Sequence, residues 1–329
     1  MSRLNLENNM KRRSCCNAES KETLHEFGEA LDLLEEYEHP DLYEYEQEHP
    51  DVYAELGGTR EHEIIGSDSR LRVTDTTAAP FRYICNFEYD FPGIGPRAMC
   101  SGTLIGPRSV LTAGHCIAGK EPSRMRVIPG RNGLLEPLPA TQAAKFILAL
   151  GYRESSPTDY GIIHLRHPVG NSIGYWSRAY SRAAGDTIGT SISANPLPLP
   201  AGTLKVNVSG YPADKPSDSR FGCRDLTRPR QRCFHSVLSD SRRQRVCGTC
   251  QYRAYDRTVS LSGGMLHYLN DTCPGHSGSP IWVRRHPSMG GRVLVGIHVA
   301  GDDPATPGVS NRAVHINSTI LAFIIANTI

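Results

Sequence analysis

Pro274-Gly275-His276-Ser277-Gly278-Ser279-Pro280 is the stretch on which the reading of this chain turns. A serine between glycines is weak evidence alone. Its weight comes from two strings upstream. One is Leu111-Thr112-Ala113-Gly114-His115-Cys116, preceded by Cys100. The other is Thr158-Asp159-Tyr160-Gly161-Ile162-Ile163. Together they run His, Asp, Ser. A serine hydroxyl is a poor nucleophile at neutral pH and needs a base within hydrogen-bond reach, and that base needs an acid to orient it.

The order discriminates between hosts of this chemistry. Alpha/beta-hydrolases run Ser, Asp, His and subtilisins run Asp, His, Ser. The serine string fits the hydrolase elbow Gly-x-Ser-x-Gly imperfectly, and His298 or His315 would have to serve as its base. Outward from the three strings, short apolar runs alternate with turn residues: Arg126–Ile128, Ala143–Leu150, Tyr160–Leu165, Leu204–Gly210 and Val293–Val299. That spacing predicts an all-β sandwich or barrel, and the apolar spacing of Ile316–Ile329 predicts a C-terminal helix.

From about Ile64 onward the chain resembles the chymotrypsin-fold serine endopeptidases, and within them the bacterial glutamyl endopeptidase branch. The residues similar to that branch are Arg72-Val73-Thr74-Asp75-Thr76-Thr77, Ala79-Pro80-Phe81, Ser277-Gly278-Ser279-Pro280 and Gly296-Ile297-His298. The resemblance implies two six-stranded antiparallel β-barrels with a C-terminal helix. It implies His115 as general base, Asp159 as its orienting acid and Ser277 as nucleophile. It places the backbone N–H groups of Gly275 and Ser277 as oxyanion donors. Gly275 suits a backbone turned toward the oxyanion, which a side chain would resist. It also implies a Cys100–Cys116 disulfide beside His115, worth about 3 kcal/mol in the chain-entropy account. The mechanism requires no metal and no organic cofactor.

Two readings of specificity compete. Asp271, six residues before Ser277, matches the pocket-floor acid of trypsin-like enzymes and would bind Arg or Lys. His298 and Thr272 match the pair that binds the substrate carboxylate in the glutamyl branch. A histidine donates one hydrogen bond when neutral and two when protonated, and a buried carboxylate would favour its charged form. Cleavage after Glu, or Asp, is the preferred reading, with protein or peptide substrates. A catalytically inactive homologue serving as a binding module is the reading from another class.

Residues 1–62 hold sixteen Asp/Glu and six Lys/Arg, a sum of −10, so the formal +2 of the chain leaves +12 for residues 63–329. This acidic leader contains the repeat Tyr-Glu-His-Pro-Asp-Leu-Tyr at 37–43 and Gln-Glu-His-Pro-Asp-Val-Tyr at 47–53. It reads as a propeptide held to the basic body partly by charge, with processing between about Arg60 and Ile64. Eight of the ten cysteines lie in the body, which suits an extracellular compartment. The first 25 residues, however, carry no apolar signal-peptide core. No run approaches the ~18 apolar residues of a membrane helix. The stretch 214–258, with four cysteines and ten arginines, reads as an insertion. It lacks the interleaved aromatics of single-strand binders, so nucleic acid is not expected as a partner. From sequence, Cys247 and Cys250 form either a tight disulfide or half a zinc site with Cys223 and Cys233, and Cys85 and Cys273 have no assignable partner.

Overall fold

The computed structural model describes residues 64–65, 68–92, 95–179, 181–182, 186, 188–194, 204–215, 248–284, 291–301 and 310–329. The acidic leader and residues 216–247 of the Cys/Arg-rich stretch lie outside the described residues.

The short alternating runs become strands. β1 (Leu71–Arg72) leads into the first barrel, formed by β2 (Ile84–Phe91), β3 (Gly95–Gly106), β4 (Ser109–Thr112), β5 (Met125–Pro129), β6 (Thr141–Leu148) and β7 (Gly161–Leu165). These close in the antiparallel order β2-β3-β4-β7-β6-β5. A one-turn helix, α1 (Gly170–Ile173), and β8 (Thr190–Ile192) cross to the second body. There β9 (Lys205–Gly210), β10 (Tyr252–Ser262), β11 (Met265–Tyr268), β12 (Pro280–Arg284), β13 (Arg292–Ala300) and β14 (Asn311–His315) pair in the order β10-β11-β14-β13-β12-β9. Pairing of β9 with β10 completes the circuit. β1 adds to β10, and β8 runs parallel to β13.

The expectation of an insertion through residue 258 needs adjusting, because Tyr252 onward is barrel strand. Successive side chains there point to opposite faces, as in any strand. Arg253 is buried while Ala254 faces the barrel interior among Val206, Val208 and Leu266.

The alternation in β13 decides how the barrels meet. Val293 and Val295 fill the second barrel, whereas Leu294 packs into a larger cluster shared with the first. An aromatic seam runs through that cluster: Phe81 stands edge-on to Trp282, Trp282 tilts against Trp176, and Trp176 meets Tyr83 edge-on. Burying residues of this size stabilises by about 1.5–3 kcal/mol each.

The C-terminal helix α2 (Ser318–Asn327) forms as expected. It starts at Asn317, whose side chain accepts the Ile320 N–H at 3.0 Å, and buries Ile320 and Ile324 four residues apart. It returns to the first barrel. Phe323 meets Tyr160 edge-on, the Asn327 carbonyl lies 2.7 Å from His164 Nε2, and the Ile329 carbonyl accepts the Arg108 N–H.

Candidate active site

His115 sits in a 3-10 turn (Gly114–Cys116) directly after β4, and Asp159 precedes β7. β4 and β7 are paired neighbours, so the two residues leave the first barrel side by side. Asp159 is fully buried. Its Oδ1 accepts the backbone N–H of His115 at 2.9 Å, and its Oδ2 lies 2.9 Å from His115 Nδ1. The N–H of Ser155 donates to the same Oδ2 at 2.7 Å. Three bonds to a buried carboxylate fix both its position and its acceptor role. The ring proton therefore belongs on Nδ1, which leaves Nε2 as the basic nitrogen. Gly114 allows the approach. A Cβ there would lie 2.6 Å from the Tyr152 ring and 3.1 Å from Asp159 Oδ1.

Ser277 comes from the second barrel, in the turn before β12, and is buried. Its carbonyl accepts the Ser101 N–H of the first barrel at 2.8 Å and lies 3.5 Å from Cys116 Sγ, one residue beyond His115. Cys116 is joined to Cys100 by the expected disulfide. Cys250 and Cys273 are also disulfide-bonded, and Cys85 is free and buried.

The turn around Ser277 is held by its carbonyls. The Pro274 carbonyl accepts the Ala213 N–H at 2.7 Å, and the His276 carbonyl accepts the Ser279 N–H at 2.8 Å. In a trans peptide the N–H points opposite the C=O. Fixing these two carbonyls therefore turns the N–H groups of Gly275 and Ser277 away from Ala213 and Ser279. The peptide between them is tied by Ser101, whose hydroxyl donates to the Gly275 carbonyl at 2.7 Å and accepts the Tyr211 N–H at 2.9 Å. Gly275 has φ +100°, and a Cβ would fall 2.3 Å from the Tyr211 carbonyl.

Gly278 is tighter still, with φ +84° and a Cβ position 2.0 Å from the Ser101 carbonyl and 2.2 Å from Thr112 Oγ1. Gly278→Ala is expected to cost at least ~1–3 kcal/mol from backbone strain alone, with clash added. A denaturant melt showing an unchanged midpoint would contradict this packing of the turn against β4.

The expected pocket residues separate. His298, on β13, is fully buried, and its backbone holds the turn: its carbonyl accepts the Gly278 N–H at 2.8 Å and its N–H donates to the Ser279 carbonyl at 2.9 Å. Its Nδ1 bonds the Tyr268 hydroxyl, and its ring stands edge-on to His276 at 6.5 Å. Burial, reinforced by the nearby His276 and His115 imidazoles, pushes the His298 pKa well below the usual imidazole value. Thr272 is buried and donates to Asn311 Oδ1 at 2.8 Å on β14, the strand next to β13.

Asp271, the pocket-floor acid of the Arg/Lys alternative, is engaged by Ile65 and Ser69. Its Oδ1 accepts the Ile65 N–H at 2.7 Å, and its Oδ2 accepts both the N–H and the hydroxyl of Ser69, at 2.6 and 2.7 Å. Burial lifts its pKa to about 6 despite those bonds. Ser101, Tyr268 and Asn311 were not singled out by the sequence. Their contacts are to backbone atoms or to residues far along the chain, and no local pattern announces them.

Residues 74–324 match the trypsin family. A glutamyl endopeptidase of Bacillus licheniformis is 36% identical over 163 residues, which are 48% of this chain and 45% of that protein. A protein of Bacillus subtilis named extracellular metalloprotease is 28% identical over 243 residues, 72% of this chain and 62% of its own. The chain thus spans less than two thirds of the length of either curated relative. Among solved structures, a Glu endopeptidase in complex with MPD superposes with a TM-score of 0.55 at 23% identity, covering 80% of this chain and 98% of that one.

Proposed function

The chain belongs to the trypsin family, and on that premise we propose that it is a serine endopeptidase that cuts peptide bonds after glutamate. The observation that carries the reading is the two-point contact between His115 and the buried Asp159 carboxylate, supported by the 3.5 Å approach of the Ser277 carbonyl to Cys116 Sγ, one residue beyond His115. Ser277 Oγ attacks the scissile carbonyl while His115 Nε2 takes its proton. The N–H groups of Gly275 and Ser277 receive the oxyanion, and His115 returns the proton to the leaving amine. Water then hydrolyses the acyl-enzyme by the same base.

The name of the Bacillus subtilis relative raises a metal, and the donor set does not fit one. Among the described residues, the one cluster with metal-ligand spacing is Cys100, His115 and Cys116. Its two sulfurs are joined in a disulfide, and the His115 Nδ1 faces Asp159.

Specificity for glutamate rests on His298, with Thr272 bonded to Asn311 on the adjoining strand. The engagement of Asp271 by Ile65 and Ser69 weakens the Arg/Lys alternative. The proposal extends to protein substrates, an extracellular location and a propeptide role for residues 1–62, supported by the charge of −10 facing a body of +12.

The specificity reading has a pH signature. His298 is held neutral by burial in the free protein, and a bound carboxylate would draw a proton onto it. Binding of a Glu side chain then takes up a proton. The preference for a Glu peptide over its Gln counterpart is full below the free His298 pKa. It falls by up to tenfold per pH unit as pH rises toward the higher pKa of the complex, and it levels off above that. The test measures kcat/KM for matched Glu, Gln and Arg peptides from pH 5 to 9. A Glu/Gln ratio that stays flat, or a preference for Arg, would sink the assignment of His298.

A further inference from the structure

Ile65 and residues 68–72 form a strap that lies against the loop carrying the oxyanion donors. At one end Asp271 receives the Ile65 and Ser69 donors. At the other, Arg70 is completely buried between two carboxylates. It reaches Asp214 by Nη1–Oδ1 at 2.9 Å and Nη2–Oδ2 at 2.5 Å, and Asp68 by Nε–Oδ1 at 2.8 Å and Nη2–Oδ2 at 2.7 Å. Lys215 Nζ adds a bond to Asp68 Oδ2 at 2.8 Å. Burial alone would raise the Asp68 pKa, yet Arg70 and Lys215 hold it well below the usual carboxylate range.

Asp214 follows Ala213, and the Ala213 N–H is the group that holds the Pro274 carbonyl and thereby aims the Gly275 N–H. A fork-to-fork Arg–carboxylate pair fixes direction as well as distance. A buried Arg that lost one partner would leave a charge uncompensated. The strap therefore holds the donor loop directly at Asp271 and, through Asp214, the segment after β9 whose Ala213 N–H ties that loop. None of these bonds uses a free amino terminus.

We propose that the Arg70–Asp214 pair is a positioning device for the Gly275 N–H, so that the strap, outside the cleft, sets the oxyanion geometry. The inference rests on the proposed serine endopeptidase reading. It assigns Arg70 and Asp214 as positioning residues with no contact to substrate.

The test compares Asp214→Ala, Asp214→Asn and Ser69→Ala with the unmodified full chain on a Glu peptide ester. The measured quantities are kcat, KM and affinity for a peptide boronic acid, whose tetrahedral adduct needs the oxyanion donors. Asp214→Ala is expected to lower kcat by 10- to 100-fold and to weaken the boronate to a similar degree, with KM changed less than threefold. Asp214→Asn, which keeps an acceptor for Arg70, should recover most of the loss. Ser69→Ala, which removes one bond at the other grip and is mild enough to fold, should show the same kcat-selective pattern at a few-fold level. If Asp214→Ala does not fold, Asp214→Asn and Ser69→Ala still decide the matter by that pattern. An unchanged kcat in folded Asp214→Ala or Ser69→Ala, or losses confined to KM, would overturn the inference while the parent remained active. A parent chain that stays inactive after removal of residues 1–62 would instead overturn the functional reading itself.

Discussion

Ser277→Ala is expected to lower kcat by on the order of 10⁶-fold on the proposed reading, because a Ser-His-Asp triad acts as a unit and the residual rate without its serine comes from binding and oxyanion donors alone. The fold should not change. Ser277 is anchored by its own carbonyl to the Ser101 N–H, and alanine keeps that bond. Steady-state kinetics on a Glu peptide, alongside a thermal melt, separates the two effects. Activity within tenfold of the parent in a folded Ser277→Ala protein would remove the nucleophile from this assignment. The same variant tests the leader. If processing near residues 60–64 proceeds equally in parent and variant, the cut is made by another protease and not by the chain itself.

Asp159→Asn is expected to lower kcat by about 10⁴-fold. The argument is one of acceptor number. The carboxylate accepts from the His115 N–H on Oδ1, and from His115 Nδ1 and the Ser155 N–H on Oδ2. An amide offers one oxygen, so its NH₂ must face one of these donors. If it faces the ring, the imidazole takes the other tautomer and Nε2 carries the proton, which disables it as a base. If it faces the His115 backbone, two buried donors oppose each other, at a cost of about 1–3 kcal/mol. The variant should therefore show both a slower turnover and a lower melting midpoint, and the turnover loss should exceed what the stability loss can explain. A variant that kept parental kcat would mean that His115 needs no partner to hold its tautomer.

The parts of this protein legible in the sequence are those whose cause is local. β5, β7, β9 and β13 follow from short apolar runs bounded by turns, and α2 from the spacing of Ile320 and Ile324. The His115 and Ser277 strings were readable because each combines a reactive residue with the glycines its turn requires. Asp271 shows the limit. A carboxylate six residues before the serine is the same letter whether it faces a pocket or the Ile65 amide some two hundred residues away in the chain. The direction is set by where β1 and its strap lie against β10, a tertiary contact without a sequence pattern. The start of β10 was hidden by composition, since Arg253 and Arg257 read as part of a basic stretch until the pairing with β9 is seen. Ser101 was invisible for a third reason: its partners are the Gly275 carbonyl and the Tyr211 amide, groups that every residue carries.

The C-terminal helix has a consequence for how the molecule is made. Phe323, Asn327 and Ile329 cover β4 and β7, the strands that present His115 and Asp159. On the ribosome these residues emerge only after the entire second barrel has been synthesised. The first barrel must wait with an open apolar flank, vulnerable to aggregation and to proteolytic attack, until its cover arrives. Closure over a long sequence separation is slow relative to local pairing. A chain so arranged stays incompletely assembled until its last residues are released.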